Sequence, residues 1–268
     1  MTLNLGMFRD LGREQRYVQR NPLMRAFVSL FGPFGIHSRI RAGHVLREIQ
    51  QLTVSPDAQI MDAGCGRALI LFTLAQTYPH LHLHGIEIDP DTVQANCKIA
   101  HMAGLEQNLT FSCADLAIAD MGKAHYDMLI SVDVLEHIVD DVAVLLAFRA
   151  ALKPGGVLVL HLPLRHQQQR RIFPAFKQHL IDDHVRDEYL PEELTEKLER
   201  AGFQILRMRY GFGWQGELAF ELNNLFWNYA PLRAFFAVLT YPLAWFLAYL
   251  DINAEIARGN SIICVAQA

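Results

Sequence analysis

A strand–turn–helix pattern at residues 59–68 constrains the fold of this chain more than any other feature. The apolar run Gln59–Met61 leads into Asp62, and Gly64 and Gly66 follow two positions apart before a helix-like segment. Glycine allows a sharp turn and a close approach of the backbone to a ligand, because it has no Cβ atom. An acid at the end of the strand faces the crevice where open α/β sheets bind their ligands. It favours a ligand with a positive or hydrogen-donating group over a pyrophosphate.

Strand-like and helix-like segments alternate from residue 58 onwards. The predicted strands are Gln59–Met61, Leu81–Glu87, Leu109–Cys113, Tyr126–Val132, Gly156–His161, Gln204–Arg209 and Ser261–Ala266. The predicted helices between them are Ala68–Thr77, Asp91–Ala103, Val134–Ala151 and Pro191–Ala201. Alternation at this spacing predicts an α/β fold, with a mostly parallel sheet and helices on both of its faces.

The 268 residues suffice for one large domain with appendages. Residues 1–52 are predicted as a helical amino-terminal cap, with helices at Met7–Gln19, Leu23–Phe31 and His37–Gln51. Residues 53–268 are predicted as the α/β domain. Two stretches interrupt its alternation and are interpreted as insertions, at residues 162–187 and 211–257.

Composition excludes several classes of protein. The net charge of −4 argues against a dedicated nucleic-acid binder, and we expect no nucleic-acid partner. The four cysteines lie far apart and form no C-x-x-C motif, so neither a disulfide framework nor a zinc site is expected. This cysteine usage fits a reducing cytoplasm. The amino-terminal residues lack the pattern of a signal peptide, and none is expected.

Two segments raise the question of contact with lipid. Residues 1–48 contain eight arginines against three acids, and Pro231–Leu250 carries a single charge, Arg233. The second segment approaches the length of a membrane span, although Arg233 and Pro242 weaken that interpretation. Two interpretations stay open: a pair of buried helices that covers the active site, or peripheral membrane contact through residues 1–48 and 225–250. The second would place the protein at the inner face of the membrane.

Five motifs occur in one order along the chain. They are Asp62–Gly66, Gly85–Pro90, Cys113–Leu116, Tyr126–Ile138 and Leu152–Gly156. In this order they resemble the class I S-adenosylmethionine-dependent methyltransferases, over roughly residues 40–210 and the last strand. The resemblance implies a Rossmann-like, seven-stranded sheet whose last strand runs antiparallel. One departure is Ala68, which stands where the family usually has a third glycine.

The resemblance also implies S-adenosyl-L-methionine as the cofactor. The first loop would cradle the methionine part, Glu87 would accept hydrogen bonds from the ribose, and Asp115 would accept one from the adenine amino group. Ile88 would pack on the adenine ring, and Arg41 would pair with the methionine carboxylate. The complete implied set is Asp62, Gly64, Cys65, Gly66, Glu87, Ile88, Asp115, Leu116, Ser131 and Arg41.

A nicotinamide-dinucleotide dehydrogenase is the rival interpretation. It would need the pattern G-x-G-x-x-G, with the pyrophosphate at the amino terminus of the following helix. Here Leu69 occupies the position of the third glycine, and the carboxylate of Asp62 would repel the phosphates. The methyltransferase interpretation is therefore preferred.

The segment Ser131–His137 carries candidates for catalysis. It resembles the ubiquinone-pathway O-methyltransferases, in which two glutamates and a histidine bind a divalent cation. Asp133, Glu136 and His137 would be the corresponding metal ligands here, but Glu136 and His137 equally suit a purely structural hydrogen-bonding role, and no metal is expected. A hydroxyl acceptor needs a base in the absence of a metal. The candidate catalytic residues are His137, His161, His184 and Glu136.

These features together predict a methyltransferase that acts on a lipophilic small molecule. O-methylation of a phenolic or quinol-type head group is the preferred reaction, and C-methylation of a similar ring is the alternative. A non-catalytic, cofactor-binding scaffold at a membrane surface is a third interpretation, from a different class. The identity of the acceptor, the oligomeric state and the choice among the histidines are left open by the sequence.

Overall fold

The structure is a computed structural model that describes residues 35–164, 189–224 and 233–268, with Pro22, Ala26, Phe27 and Phe31. These residues fall into two compact units. The helical unit contains residues 35–47, 210–224 and 233–261 together with the four amino-terminal residues. The sheet unit contains residues 48–164, 189–209 and 262–268.

A seven-stranded sheet forms the frame of the fold. Its strands are β1 Gln59–Ala63, β2 His82–Glu87, β3 Leu109–Cys113, β4 Tyr126–Val132, β5 Leu152–Pro163, β6 Gln204–Gly211 and β7 Ser261–Gln267. Their spatial order is β3-β2-β1-β4-β5-β7-β6, and strands β1 to β5 pair in parallel. The start of β5 meets the end of β7, because Ala268 N donates to Gly156 O at 2.8 Å. The predicted Rossmann-like sheet with an antiparallel last strand is confirmed.

The order of the strands determines where a ligand can bind. β1 lies between β2 and β4, so the chain leaves β1 toward one edge of the sheet and later returns on its other side. Loops that leave the carboxyl ends of β1 and β4 therefore diverge and open a crevice between them. The central strands are buried along most of their length, which explains why they appear in the sequence as continuous apolar runs.

Seven α-helices lie within the described residues. They are α1 Ile36–Ile49, α2 Leu69–Thr77, α3 Pro90–Met102, α4 Asp141–Ala151, α5 Pro191–Arg200, α6 Trp214–Asn224 and α7 Arg233–Asn253. Local chemistry sets their ends; for example, the Asp89 carboxylate accepts hydrogen bonds from Asp91 N and Thr92 N at the start of α3. α1 confirms the helix predicted at His37–Gln51. Predicted helix Met7–Gln19 and most of Leu23–Phe31 lie outside the described residues.

The single helix predicted over Val134–Ala151 is wrong. The chain instead makes one 3₁₀ turn at Leu135–His137, and Ile138 is then extended, with φ −109° and ψ 126°. The carboxylate of Asp140 accepts a hydrogen bond from Ala143 N at 3.0 Å and so caps a new helix, α4. An acid in the N-cap position starts a helix more effectively than it continues one.

Of the two interpretations left open for Pro231–Leu250, the pair of buried helices is wrong, because α7 runs as one helix from Arg233 through Pro242. Pro242 lies on the exposed side of α7. Proline has no N–H group, so one backbone carbonyl group in the preceding turn lacks its usual donor and can bond to solvent instead. α7 is only half buried: Tyr241 and Ala244 are inaccessible, whereas Leu243 is 53% exposed. Among the described residues, none of the helices combines the length and apolar character that a membrane span requires.

Each unit has its own core. In the sheet unit, β4 and β5 pack with α4 and α5 through Leu129, Leu160, Phe148 and Leu194, all buried. The core of the helical unit joins α1, α6 and α7 through Ile36, Ile40, Ala219, Tyr241, Ala244 and Ala248.

A buried carboxylate ties the helical unit together. Asp251 of α7 accepts hydrogen bonds from His44 Nε2 at 2.9 Å, from Gly213 N at 2.8 Å and from Gly216 N at 3.0 Å. These contacts join α7 to α1 and to the start of α6, and they satisfy a charge that would otherwise be costly to bury.

Candidate active site

The turn between β1 and α2 contains three left-handed residues within five positions. The φ angles are +79° at Gly64, +50° at Gly66 and +53° at Ala68. A Cβ atom on Gly64 would lie 2.4 Å from Val134 Cγ2, so this glycine is required by both conformation and space. Ala68 adopts the conformation expected of the family's third glycine, at a cost of about 1–2 kcal/mol for a residue with a Cβ atom.

Strand β2 holds this turn in place from one side. Gly64 N and Cys65 N both donate to Ile86 O, at 2.8 and 2.9 Å. Gly66 N donates to Glu87 Oε2 at 2.8 Å. The residue predicted to bind the ribose is therefore joined directly to the loop predicted to bind the methionine part.

Helix α3 holds the same turn from a second side, through a residue that the sequence interpretation missed. Asn96 is 1% exposed, and its Nδ2 atom donates to Gly66 O at 2.7 Å. The available signal was a polar side chain on the helix face that also carries Ile99 and Ala100, both buried. Asn96 thereby fixes the orientation of the Gly66 peptide.

Glu87 is held in one orientation by backbone amides. Its Oε1 atom accepts from Ile88 N at 2.9 Å and from Asp89 N at 3.2 Å, while Oε2 accepts from Gly66 N. Ile88 is 63% exposed, at the carboxyl end of β2. A carboxylate fixed beside an exposed apolar side chain is suited to a ligand with a polar ring next to a flat apolar one.

Asp62 is an acid in an unfavourable position. It is 3% exposed, and its Oδ1 atom is buried without a hydrogen-bond partner. Burial and, to a smaller degree, the negative charge of Glu87 raise the pKa of the Asp62 carboxyl group from 3.8 to about 7. A cationic group placed against Asp62 would favour its ionised form. The site is therefore electrostatically prepared for a positive ligand group.

Burial also raises the pKa of the Cys65 thiol far above its ordinary value, and the charges of Asp62 and Glu87 add to the effect. Cys65 is thus a neutral packing residue with no nucleophilic character. It contributes to the site through its backbone N–H, which donates to Ile86 O.

The remaining predicted cofactor residues of the sheet unit lie at the ends of β3 and β4. Asp115 is exposed, and its Oδ1 atom accepts from Ala117 N at 2.9 Å. Leu116 is 8% exposed and packs into the core. Ser131 is buried, and its hydroxyl group donates to Ala63 O at 3.1 Å, which joins β4 to the end of β1. Their roles toward a cofactor stay predictions.

A pair of an acid and a histidine, Asp133 and His161, lies where β4 and β5 end. Asp133 Oδ1 and His161 Nδ1 are 2.6 Å apart, and Asp133 N donates to His161 O at 2.9 Å. His161 is 2% exposed, and its Nε2 atom has no hydrogen-bond partner. Asp133 has a φ of +51°, a strained conformation for a residue other than glycine. The sequence interpretation named both residues but did not pair them.

The other candidates for catalysis are placed differently. Glu136 is buried and His137 exposed, in the 3₁₀ turn after β4. Within the described ranges, no group of three or more His, Cys, Asp or Glu residues has the arrangement of a metal site. His184 lies outside the described residues. Arg41 belongs to α1 in the helical unit, where its Nη2 atom donates to His37 Nδ1 at 2.7 Å.

Comparison with known proteins identifies the class. Residues 55–205, more than half of the chain, match the profile of a methyltransferase domain family. The chain belongs to this family, and it is an S-adenosylmethionine-dependent methyltransferase, as its motifs predicted.

Curated relatives agree with this assignment at low identity. The chain is 24% identical over 192 residues to a ubiquinone biosynthesis O-methyltransferase of Dinoroseobacter shibae, covering 65% of this chain and 74% of that protein. It is 27% identical over 161 residues to the protein of that name in Xanthomonas campestris pv. campestris, covering 56% of this chain and 64% of that protein.

Solved structures share the fold. Phosphoethanolamine N-methyltransferase 2 of Haemonchus contortus, solved with S-adenosyl-L-methionine, matches with a TM-score of 0.62 and 16% identity, over 97% of this chain and 59% of that one. The [4+2]-cyclase SpnF matches with a TM-score of 0.57 and 20% identity, over 84% and 80% of the two chains. One of these proteins is named as a cyclase and the other as an N-methyltransferase, so this fold alone does not specify an acceptor.

The residues present fit S-adenosylmethionine. The unpartnered Asp62 carboxyl group suits the cationic amino group of its methionine part, and the Glu87 carboxylate is a fixed acceptor for ribose hydroxyl groups. A Cβ atom on Gly66 would meet no atom within 4 Å, so the backbone of the turn borders open space here. These three features are the ones that a bound S-adenosylmethionine would use.

The open space beside Gly66 yields a first prediction. Gly66→Ala should lower stability by only about 1 kcal/mol, because the new Cβ clashes with nothing and only the left-handed backbone is strained. Calorimetric titration should nevertheless show weaker binding of S-adenosylmethionine by about tenfold or more, since the methyl group enters the space that the turn borders.

Gly104→Ala is the matched control for this experiment. Gly104 has a φ of +68°, and its added Cβ also meets no atom within 4 Å, but it lies after α3 and away from the turn. The control should lose similar stability and keep full affinity. Equal affinity in the two variants would show that the Gly66 face does not bind the cofactor.

The raised pKa of Asp62 yields a second prediction. A carboxyl group whose pKa is higher in the folded state contributes stability below pH 3.8, and this contribution is lost as the pH rises to about 7. Asp62→Asn should therefore stabilise the ligand-free protein above pH 7, on the order of 2 kcal/mol, and the difference should shrink toward acidic pH. Thermal melts of both proteins across this range measure the difference directly.

The same substitution should weaken cofactor binding, because asparagine has no charge to offer a cationic group. In the wild-type protein, affinity should rise as the pH increases toward and through 7, and this slope should be absent in Asp62→Asn. A variant that is less stable than wild type at pH 8 and binds equally well would contradict the assigned electrostatics.

Proposed function

We propose that this methyltransferase transfers a methyl group to an oxygen atom of a lipophilic acceptor with a phenolic or quinol-type head group. The observation that carries the proposal is the pair of buried His161 and partly buried Asp133, in which His161 is the proposed base for a hydroxyl group. A phenol is a poor nucleophile until it loses its proton, whereas an amine with a free lone pair needs no such help.

The hydrogen bond to Asp133 determines which nitrogen of His161 can act. When Nδ1 carries the proton and donates it to the carboxylate, Nε2 has a free lone pair. Nε2 is the atom that is buried without a partner. Asp133 is thus proposed as a positioning residue that fixes the tautomer and stabilises the imidazolium after proton transfer.

The backbone supports this geometry. Asp133 N donates to His161 O, and β4 and β5 pair in parallel up to Val132 and His161. Asp133 adopts this orientation with a left-handed φ of +51°, which is unfavourable for a residue with a Cβ atom. Strain of this kind in a non-glycine residue clusters at functional sites, where the surrounding structure enforces it.

The proposed reaction needs two changes at the acceptor. Its hydroxyl O–H bond breaks as His161 Nε2 takes the proton, and the oxygen lone pair then forms the new bond to carbon. When bound, S-adenosylmethionine would supply the methyl group from its sulfonium sulfur: the sulfur–carbon bond would break as the oxygen–carbon bond forms, and its electron pair would stay on the sulfur as a neutral thioether. The proton on His161 passes to solvent after the product leaves. Asp62, Glu87 and the turn at Gly64–Gly66 are the proposed cofactor contacts, and they orient rather than react.

The names of the curated relatives support an acceptor of this kind. They are ubiquinone biosynthesis O-methyltransferases, at 24–32% identity. A lipophilic acceptor also agrees with the apolar character of Pro231–Leu250 and with an enzyme of the cytoplasm that works at the inner face of the membrane. The roles predicted for the cap, for the two insertions and for Arg41 stay predictions.

C-methylation of a similar ring and a non-catalytic scaffold are the competing functions. An aromatic carbon becomes nucleophilic when a neighbouring hydroxyl is ionised, so the same base would serve it. Proton–carbon NMR of the product distinguishes an O-methyl from a C-methyl group. A scaffold would bind the cofactor and turn over no acceptor.

The first test is calorimetric titration of the purified protein with S-adenosylmethionine, with NADH as the control ligand. We expect binding of the first in the micromolar range, roughly −8 kcal/mol, and none of the second. Glu87→Ala should abolish it, because the ribose acceptor is removed. Binding of NADH in place of S-adenosylmethionine would favour the dehydrogenase interpretation.

The base is tested with a short series of quinol and catechol acceptors. His161→Gln should lower kcat by about 100-fold or more, in the range typical of a general base. Asp133→Asn should lower kcat by about tenfold or more, with KM and cofactor affinity unchanged, because it disturbs only the tautomer and orientation of His161.

His101→Gln is the matched control, since His101 is a solvent-exposed histidine of the sheet unit, on α3. It should keep the wild-type kcat. Full activity of His161→Gln would assign the base to another histidine, such as His137 or His184. A parallel loss of cofactor affinity in Asp133→Asn would reduce its role to folding.

A further inference from the structure

The outward face of α7 is apolar from Leu239 to Leu250. Leu239 is 64% exposed, Leu243 53%, Phe246 50% and Leu250 39%. Their spacing of four, three and four residues places them in one row on the helix. Pro242 is exposed on the same side. A helix that faces water normally presents charged or polar side chains there.

The opposite face of α7 accounts for its place in the fold. Tyr241, Ala244 and Ala248 are buried in the core of the helical unit, and Asp251 makes the buried hydrogen bonds described above. Packing on that side therefore does not require leucine and phenylalanine on the other. A contiguous exposed apolar patch of this kind marks a surface that contacts something other than water.

The size of the row argues against a stable dimer as its purpose. The row consists of four side chains along about 16 Å of one helix, whereas a standard protein interface draws about 20–30 residues from each partner. A single row of this length suits a helix that lies in the plane of a bilayer with one face immersed.

The margins of the row have the chemistry of a membrane interface. Trp245 and Tyr249 lie beside it, half buried and stacked, with ring centroids 6.1 Å apart and planes within 10° of parallel. Aromatic rings with a polar edge are enriched at the depth of lipid head groups. The polar tips of these two residues would meet the head groups while the leucines enter the acyl region.

Charge indicates the kind of lipid. The sequence before Phe27 contains five arginines against two acids, Arg9, Arg13, Arg16, Arg20 and Arg25 against Asp10 and Glu14. Phe27 and Phe31 themselves pack on α7, with ring centroids 5.4 and 6.0 Å from that of Tyr241. The chain thus joins a basic segment to the helix that bears the apolar row, and basic segments prefer anionic head groups.

We propose that the row Leu239, Leu243, Phe246 and Leu250 docks the protein on the surface of a bilayer containing anionic phospholipid, with α7 parallel to the membrane plane. The contact is peripheral, in agreement with the absence of a spanning helix among the described residues. It deepens the proposed function, because a lipophilic acceptor resides in the bilayer. The docking itself requires neither cofactor nor turnover.

The proposal is tested by sedimentation of the full chain with vesicles, in the absence of cofactor and acceptor. Wild-type protein should sediment with vesicles of equal parts phosphatidylcholine and phosphatidylglycerol, and less with phosphatidylcholine alone. The double variant Leu243→Glu and Phe246→Glu should lower the vesicle partition coefficient by about tenfold or more, because two charges enter the apolar row.

The matched control is the double variant Met102→Glu and Leu206→Glu. Both residues are exposed apolar side chains, 67% and 48% accessible, and both lie outside α7. It carries the same added charge and should sediment like wild type. Circular dichroism melts of both double variants check that each is folded.

Three outcomes would overturn the proposal. The first is wild-type protein that sediments with neither kind of vesicle. The second is an α7 double variant that sediments as well as wild type. The third is a wild-type dimer, by light scattering, that becomes a monomer in the α7 double variant without any vesicle binding, which would assign the row to a second copy of the chain. Cofactor titration is independent of all these readouts, so failure of the proposed reaction remains distinguishable from failure of docking.

Discussion

The turn between β1 and α2 depends on three left-handed residues at alternate positions, Gly64, Gly66 and Ala68, and most of the site depends on this turn. Only glycine fits at position 64, because a Cβ atom there would collide with Val134. Once turned, the backbone offers Gly66 N to Glu87 and Gly66 O to Asn96, so β2 and α3 both fix its path. The carboxyl end of the sheet thus becomes a rigid cradle built largely from main-chain atoms, which bind without the entropy loss of long side chains.

The cradle is costly to the ligand-free protein. Asp62 is buried next to Glu87 with an unpartnered oxygen, and Ala68 and Asp133 adopt left-handed conformations that disfavour a Cβ atom. All three lie at or just beyond the carboxyl ends of β1 and β4. Backbone strain and an unpaired buried carboxyl group lower the stability of the ligand-free protein, and both are typical of functional sites. Left-handed conformations of non-glycine residues also occur away from this edge, at Ala124 and at Phe212 in the core of the helical unit.

Much of this could be predicted from residue order. The seven strands are apolar runs of suitable length, and buried parallel strands need no tertiary context to be recognised. The first turn could be predicted because two glycines separated by one residue, directly after an apolar strand, indicate a tight turn. Prediction failed at Val134–Ala151, where apolar periodicity suggested one helix but the cap at Asp140 starts a second one. Asn96 was missed because the local sequence around a single polar residue on a helix does not indicate which distant residue it contacts.

The sequence by itself determined the fold class, because strand periodicity and glycine spacing are local patterns, and the order of its motifs indicated the cofactor by resemblance to a known family. The residues named for that cofactor stay predictions. Only the tertiary structure paired Asp133 with His161, which are 28 positions apart and meet because β4 and β5 are neighbours in register. It also decided that the apolar segment after residue 231 is one half-buried helix. Both outcomes depend on which surfaces face each other, and that is a property of packing rather than of any local stretch of chain.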